Sequence, residues 1–364
     1  MTALSGSRPA SFSKNRARQV SRILREGSVN PDFKQALEEA HQWRLLCVEP
    51  TQRCFDELQR ICLPSDATVV FRLKRMSSII AKLQRPAHYR LDELDDIGGC
   101  RIIVDTIERV NEIVKDIEQS RVLTVDGPQV KKDYIASPEL SGYRGVHIIV
   151  RLEHEGKVHR VEIQVRTKLQ HLWATSLEAE ARHHNPLLKT GIPLEQYEDD
   201  DAQRAEFFML VSDYLCIREK TRLREDSRLD VERDENSIRE LLGGIGLASD
   251  IRDELRLFSE ENILTLSDSK DSDEVASQGF VLLDFDFGAQ TLKKEYFERD
   301  DLMAAVDAYD NEEKEFVTED NSRPWGRDVV LIAADREQDI PKAFPNYFGG
   351  DDEFIQIVCE LLKS

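Results

Sequence analysis

Residues 145–166 read GVHIIVRLEHEGKVHRVEIQVR, in which two runs of alternating apolar and polar residues flank a short polar turn. Because Gly156 suits a tight turn, we predict a β-hairpin with strands at 145–152 and 158–166. Side chains alternate between the two faces of a strand, so every second residue of the second run faces the same way. The polar residues that share one of its faces are Glu162, Gln164 and Arg166.

The segments that precede this hairpin also alternate between strand and helix patterns. An apolar run at 99–104 predicts a strand, and either Asp105 or Thr106 is suited to cap a helix that runs to Gln119. A β-like run at 68–71 is followed by another helical pattern. This order predicts a mixed α+β fold.

Composition divides the chain into four stretches. Residues 1–30 are rich in Arg and Ser, and we expect a basic flexible tail. Residues 31–242 hold the patterns described above, and three glycines within 243–246 mark a break. We assign 243–277, which becomes rich in Ser and Asp, to a linker, and 278–364 to a small acidic α+β domain.

Charge is distributed unevenly along the chain. The 364 residues carry 70 acidic and 50 basic side chains, a net charge of −20, and residues 247–364 alone hold 30 acidic and 12 basic ones. A front half near neutrality can present a basic cleft to phosphate groups, whereas the acidic rear repels nucleic acid. The asymmetry predicts two units with different partners.

Bulk composition favours a cytoplasmic protein without a membrane partner. No window approaches the roughly 18 apolar residues of a membrane helix, and the N-terminus lacks the apolar core of a secretory signal. The six cysteines include no CxxC pair, which disfavours a zinc site. Free thiols of this kind are typical of a reducing compartment.

A basic face near the start of the chain suits a polyphosphate. Residues 72–82 read RLKRMSSIIAK, and on a helix the face opposite the apolar stripe carries Lys74, Ser78, Lys82 and Arg85. Ammonium, guanidinium and hydroxyl groups all donate to phosphate oxygens. A solvated basic face gives the same pattern, so this prediction depends on the neighbouring motifs.

An acidic turn precedes the predicted strand at 99–104. Asp96 is followed by Ile-Gly-Gly-Cys and then by Arg101. Carboxylate oxygens are the ligands that Mg²⁺ prefers, and an arginine can meet a phosphate group. Glu162 could share such an ion with Asp96, or accept the proton of an attacking hydroxyl. A simple turn with an Asx cap is the alternative.

A tyrosine in a Gly-flanked loop suits a second substrate that carries a base and phosphate groups. Tyr143 lies in the segment SGYRGVH, where an exposed ring could stack on a base. His147 begins the first strand of the hairpin, on the face opposite its apolar neighbours. Lys131 and Lys132 add positive charge ahead of this loop.

Five motifs in this order resemble the signature of the RelA/SpoT synthetase family. They are R-x-K-x-x-x-S-I-x-x-K at 72–82, D-I-x-G-x-R-I at 96–102, K-D-Y-I-x-x-P at 132–138, S-G-Y-R-x-x-H at 141–147 and E-I-Q-x-R-T-x-x-x-H-x-W-A at 162–174. The resemblance implies a nucleotidyltransferase-like mixed β-sheet flanked by helices. It also implies a small alarmone synthetase that transfers a diphosphate from ATP to the 3′-hydroxyl of GDP or GTP, making (p)ppGpp and releasing AMP.

The same resemblance implies a role for each matched residue. Asp96 and Glu162 would be the catalytic pair and would bind Mg²⁺ as the cofactor. The ATP-binding residues would be Arg72, Lys74, Ser78, Lys82 and Arg101. The acceptor-binding residues would be Lys131, Lys132, Tyr143, Arg144, His147, Gln164 and Arg166.

Two positions depart from the family pattern. Phe71 stands where relatives often have glycine, which bears on the ATP loop, and Val130 stands where some have arginine, which bears on the choice of acceptor. The long two-function relatives carry a hydrolase domain with a His-Asp pair. This sequence contains no His-Asp dipeptide, so the resemblance implies synthesis without hydrolysis.

The motifs leave other functions open. Some members of the family resemble toxins that modify the 3′ end of tRNA, and here the acidic C-terminal domain would act as a built-in inhibitor. Such fusions could serve in phage defence. A non-catalytic nucleotide sensor would keep the fold without turnover, and a homo-oligomer is a further option.

Overall fold

The computed structural model describes residues 13–63, 66–85, 89–123, 129–227, 235–261, 279–286, 291–316, 327–334, 339–345 and 352–362. None of the helices within these ranges is both long enough and apolar enough to cross a lipid bilayer.

The strands are β1 (Thr68–Leu73), β2 (Gly98–Val104), β3 (Gln129–Asp133), β4 (Val146–His154), β5 (Lys157–Thr167), β6 (Phe280–Asp286), β7 (Thr291–Phe297) and β8 (Arg327–Ala334). The helices are α1 (Lys14–Glu26), α2 (Phe33–Leu46), α3 (Val48–Cys62), α4 (Met76–Leu83), α5 (Ile107–Gln119), α6 (Lys168–His183), α7 (Asp199–Arg218), α8 (Glu235–Gly243), α9 (Ala248–Glu261), α10 (Leu302–Phe316), α11 (Asp339–Ala343) and α12 (Asp352–Leu361).

The eight strands that the described ranges contain form a single sheet in the order β3-β4-β5-β2-β1-β8-β6-β7. β2 and β5 run parallel, and the other neighbouring pairs are antiparallel. The predicted hairpin is present as β4 and β5, with Gly156 in its turn at a φ of +72°. The predicted mixed α+β class, with helices flanking the sheet, is confirmed.

One face of the sheet is covered by α3, α5 and α10 and forms the main apolar core. Alternate residues of each central strand point into this core, as the two-residue period of a strand requires. In β5 these are Val161, Ile163 and Val165. The polar residues between them therefore face the other side of the sheet.

A second apolar cluster joins helices to one another beside the opposite face of the sheet. α6 and α7 pack together, and α8, α9 and α12 pack on them. Trp173 is buried in this cluster and donates its indole N–H to the carbonyl of Phe208 at 2.9 Å. Because α6 also packs on β5 and β2, this helical layer forms a wall along the polar face of the sheet.

The C-terminal segment has the expected mixture of helix and strand, and its strands continue the same sheet. β8 pairs with β1 through residues 70–72, and β6 and β7 follow outward from it. The predicted units 31–242 and 278–364 therefore share one sheet and one core. The end of the predicted linker, 262–277, lies outside the described residues.

Two segments that we predicted to be flexible are helices, so the tail and linker predictions were wrong there. In α1, Ala17, Val20 and Leu24 recur at helical spacing and are buried. In α9, Ile251 and Leu255 lie one turn apart and are buried in the helical cluster. Both apolar stripes are narrow and lie among many charged residues, which is why composition misassigned them.

Several acidic residues of the rear half pair with arginines of the front half. Asp310 and Glu313 of α10 contact Arg44 of α2, and Asp328 of β8 contacts Arg75 at 2.7 Å. Part of the charge asymmetry is therefore neutralised within the fold, because acidic residues of the rear half pair with basic residues of the front half.

Candidate active site

The face of the sheet opposite the main core carries a row of polar residues across its central strands. Register places Gln164 of β5 between Arg101 of β2 and His147 of β4, and Glu162 lies one pleat away on the same face. Arg72 lies on β1, the next strand beyond β2. The pleat thus gathers on one surface residues that are distant in sequence.

Asp96 is held by two lysines just before β2. Its carboxylate oxygens lie 2.8 Å from Nζ of Lys74, in the loop after β1, and 3.0 Å from Nζ of Lys82, in α4. Burial opposes ionisation, but the two ammonium groups prevail and hold the pKa of Asp96 well below its usual range. Asp96 therefore brings both lysines to one point, where an incoming polyphosphate would meet them.

A chain of hydrogen-bonding groups orients Glu162. Nδ1 of His147 lies 3.2 Å from one carboxylate oxygen, and Gln164 donates to the other at 2.8 Å. Nε2 of His147 is 2.6 Å from the hydroxyl of Tyr143. Burial opposes the charged form of Glu162, but the contact with His147 lowers the pKa of its carboxyl to about 2. Glu162 is therefore ionised at neutral pH and fixed at both oxygens.

Three guanidinium groups converge on a cleft of about 280 Å³ beside Glu162. They belong to Arg72, Arg101 and Arg166, and Tyr143 lines the same cleft. Burial, together with the charges of Arg166 and Arg72, lowers the pKa of Arg101 to about 9. Because crowded like charges are relieved by an anion, this arrangement favours the binding of phosphate groups.

Sequence reasoning missed three charged residues of the cleft, Glu139, Glu178 and Lys189. Despite burial, the charges of Lys189 and Arg182 hold the pKa of Glu178 well below its usual range. Glu178 lies one helical turn after Ala174, the last residue of the motif at 162–174, so helical spacing could have found it. Lys189 ends the short 3₁₀ turn Pro186–Lys189, which no sequence signal marked.

The structure does not bring Arg144 to the cleft. Its buried guanidinium donates to Oγ of Ser212 at 3.2 Å and to the carbonyl of Arg222 at 2.6 Å. Gly142 turns the chain here at a φ of +94°, and a Cβ at this position would lie 2.8 Å from the side chain of Ser212. The loop is thus locked to α7, and Tyr143 is aimed the other way, at the cleft.

The remaining predicted residues lie at the margins. Lys132 is exposed, and its ammonium group lies 5.1 Å from the centre of the Tyr134 ring. Ser78 lies one turn before Lys82 on α4 and is partly exposed. The side chain of Lys131 lies outside the described residues.

The donor chemistry of the site fits Mg²⁺. Asp96 and Glu162 offer carboxylate oxygens, which Mg²⁺ prefers over nitrogen or sulfur ligands, and the pKa of each is lowered. Both carboxylates are already engaged by lysine, histidine or glutamine side chains. The set therefore suits an ion that arrives with a polyphosphate, to which the lysines can turn.

Residues 71–186 match the family described as "Region found in RelA / SpoT proteins". This range runs from β1 to the end of α6 and just beyond it. It includes the Asp96 and Glu162 carboxylates and the arginines of the cleft.

Several known proteins are similar to part of the chain. Rv1366 of Mycobacterium tuberculosis, an uncharacterized protein, is 32% identical over 178 residues, which cover 47% of this chain and 59% of that protein. The GTP pyrophosphokinases YwaC and YjbM of Bacillus subtilis are 33% and 35% identical over 114 and 116 residues, each match covering 29% of this chain and 52% of the relative. The chain thus spans between 52% and 59% of the length of these relatives.

Among solved structures, the small alarmone synthetase 1 from Bacillus subtilis is 22% identical, with a TM-score of 0.37, and the match covers 52% of this chain and 97% of that one. Over residues 71–186, this chain is similar to the region that is found in RelA and SpoT proteins.

Proposed function

We propose that the protein transfers a diphosphate from ATP to the 3′-hydroxyl of a guanosine nucleotide, GDP or GTP. The observation that carries this proposal is an ionised Glu162 whose two carboxylate oxygens are held by His147 and Gln164, beside a cleft on which three arginines converge. The similarity to two GTP pyrophosphokinases over part of the chain supports it.

In the proposed reaction, a bond forms between the acceptor 3′-oxygen and the β-phosphorus of ATP. The bond from that phosphorus to the oxygen that bridges it to the α-phosphorus breaks, and AMP leaves. Such a transfer depends on positioning and charge neutralisation more than on covalent catalysis. Lys74 and Lys82 are already gathered at one point for this purpose. Mg²⁺ bound by Asp96 and Glu162 would add further neutralisation of phosphate charge.

Glu162 is suited to orient the attacking hydroxyl and to accept its proton. A carboxylate with a pKa of about 2 is a weak base toward an unreacted alcohol. The hydroxyl becomes more acidic as its oxygen bonds to phosphorus, so transfer to Glu162 fits the transition state. The Tyr143 ring lines the cleft beside Glu162 and would stack on the acceptor base.

Incubation of the purified protein with Mg²⁺ and γ-labelled ATP tests this function. GDP, GTP, ATP and total tRNA serve as acceptors in separate reactions. We expect label in a guanosine product with GDP or GTP, and none with the Glu162→Gln variant. The absence of a labelled product with both guanosine acceptors would overturn the proposal.

One contact favours a second candidate, in which the acceptor is the 3′ end of tRNA and the C-terminal segment is an inhibitor. Arg101 donates to the carbonyl of Ala343 at 3.4 Å, so the end of α11 reaches the arginine cluster. Phe344 lines a small space with Arg72 and Glu178. This candidate requires label in tRNA, and it requires a rise in turnover when Phe344→Ala weakens the contact.

A further inference from the structure

The start of α4 is capped by a residue from the far end of the chain. α4 begins at Met76, and the side chain of its N-cap residue, Arg75, makes no capping hydrogen bond. The backbone N–H of Met76 donates to Oε1 of Glu313, 3.0 Å away and 237 residues later. The first N–H groups of a helix have no partner within it, so a carboxylate here satisfies a donor and complements the helix dipole.

The backbone of Lys74, two positions before Met76, is held by a buried cluster that also contains Glu313. The buried guanidinium of Arg44 donates to the backbone carbonyl of Lys74 at 3.0 Å. It lies 2.6 Å from the carboxylate of Glu313 and also pairs with Asp310. The Lys74 carbonyl in the loop before α4 and the Met76 N–H at the start of α4 are therefore both bonded to one buried cluster that is centred on α10.

This loop and the helix that it starts supply the phosphate side of the site. Lys74 lies in the loop and Lys82 near the end of α4, and both reach Asp96. Because α4 has eight residues, little more than two turns, a shift at its start also displaces Lys82. Arg75, within the loop, pairs with Asp328 of β8 at 2.7 Å. The C-terminal segment thus contacts the loop at successive residues.

The cluster around Arg44 is not a metal site. The ligand atoms of His41, Asp310 and Glu313 are close enough to share a cation. The guanidinium of Arg44 lies against both carboxylates, and its charge takes the place that a metal ion would need. The ring of Tyr309 packs on the same guanidinium at 4.5 Å. The cluster instead binds backbone groups of Lys74 and Met76, before and at the start of α4.

We infer that Glu313 is a positioning residue for ATP, because α10 sets the places of Lys74 and Lys82 through the cap on Met76 and the contact with Arg44. The inference rests on the proposed function. It gives the C-terminal segment a supporting role in turnover, which is the opposite of the inhibition that the second candidate requires.

Three variants separate the reach of Glu313 from its charge. Glu313→Gln keeps an oxygen within reach of the Met76 N–H and loses the charge. Glu313→Asp keeps the charge but withdraws the oxygen by one methylene. Asp307→Ala removes an exposed carboxylate from the same helix and is the matched control.

Two measurements are made on each variant of the full chain. One is the affinity for a non-hydrolysable ATP analogue by calorimetry, and the other is the KM for ATP and for the guanosine acceptor. We expect Glu313→Asp to raise the Kd of the ATP analogue and the KM for ATP roughly tenfold, which is the size of effect that the loss of a helix cap produces. The KM for the acceptor should not change. Asp307→Ala should stay within about twofold of the parent protein. Glu313→Gln keeps the cap on Met76 but weakens the pair with Arg44, so its loss should be clearly smaller than that of Glu313→Asp.

Unchanged ATP constants in a folded Glu313→Asp protein would overturn the inference, even if its melting temperature fell. An equal loss in Glu313→Gln would also overturn it, since charge rather than reach would be responsible, and so would a rise in turnover. If Glu313→Asp does not fold, Tyr309→Phe takes its place with the same expected direction, because it removes a second donor to the same oxygen at 3.2 Å. The binding measurement needs no turnover. If the protein makes no product, the proposed function is refuted, but the effect of Glu313→Asp on ATP-analogue affinity can still be measured.

Discussion

The ring of Phe280 lies 5.6 Å from that of Phe71, centre to centre, at an angle of 76°. Ala333 lies between them in sheet register, and all three are buried. The side chain of Phe71 points into the core, away from Arg72. Phe71 therefore helps to attach the C-terminal strands, while Arg72 lies on the cleft side of β1.

We expect Phe280→Ala to destabilise the whole fold. Loss of a buried phenyl ring removes apolar burial and leaves a cavity, and such substitutions cost about 3–5 kcal/mol. Denaturant unfolding followed by circular dichroism measures the change. Met303→Ala, at a side chain that is 53% exposed, is the control and should shift the free energy of unfolding by about 0.5 kcal/mol or less.

Truncation after Gly246 also tests whether the C-terminal strands stabilise the whole fold. It would uncover the edge of β1 and leave Arg44 buried without its carboxylate partners, so we expect no cooperative unfolding transition. A truncated chain that melts cooperatively would contradict the shared core and support two independent domains.

Arg101→Met should separate stability from substrate binding. The Arg101 side chain is buried near two other guanidinium groups, which lower its pKa, so its removal relieves repulsion with Arg72 and Arg166. We expect the free energy of unfolding not to fall, while the KM for ATP rises at least tenfold, because charge-assisted hydrogen bonds contribute about 1.5–3 kcal/mol. Inorganic tripolyphosphate should raise the melting temperature of the parent protein more than that of the variant. A destabilised variant with an unchanged ATP KM would contradict this.

Tyr143 should act on the acceptor and not on ATP. Its hydroxyl contacts His147 at 2.6 Å, and its ring packs on Arg166 at 5.0 Å. Tyr143→Ala should raise the acceptor KM roughly tenfold, since stacking contributes about 1–3 kcal/mol per base, with the ATP KM unchanged. Tyr143→Phe keeps the ring and should affect kcat alone, because His147 loses a partner. Equal effects on both substrates would contradict this assignment.

The parts of the site that follow from local periodicity could be predicted from the sequence. Strand alternation by itself puts Glu162 and Gln164 on one face of β5. The Thr106 cap on α5 follows from the same kind of local rule, since its hydroxyl accepts from the N–H of Arg109. These features depend on residues within a few positions of one another.

Features that depend on distant residues could not be predicted in this way. Nothing in the pattern around Met76 indicates that Glu313 will cap its helix, because a backbone N–H leaves no trace in the sequence. The pairing of β8 with β1 is similar, since an apolar strand does not name its partner. Arg144 shows the converse limit: its motif was found, but the direction of its side chain depends on the turn at Gly142.

The pair between Asp310 and Arg44 should make stability depend on pH. Burial opposes ionisation of Asp310, but Arg44 and His41 outweigh it and lower the pKa of this carboxyl below its ordinary 3.8. A carboxyl whose pKa is lower in the folded state stabilises the fold above its unfolded pKa, and this contribution is lost as the pH falls through the folded pKa. Glu313 faces the same guanidinium and keeps part of the pairing when Asp310 is replaced.

Urea unfolding of the parent protein and of Asp310→Asn between pH 7 and pH 3 measures this contribution. We expect the parent protein to be more stable by about 3 kcal/mol at neutral pH, the low end for breaking a buried ion pair. The gap should narrow once the pH falls below the ordinary pKa of 3.8, because the parent carboxyl then begins to lose its charge advantage. Asp307→Asn, on the exposed side of α10, is the matched control and should show a gap of about 0.5 kcal/mol or less at neutral pH. A gap for Asp310→Asn that stays constant down to pH 3 would mean that the carboxylate acts through its shape and hydrogen bonds, and that its charge does not stabilise Arg44.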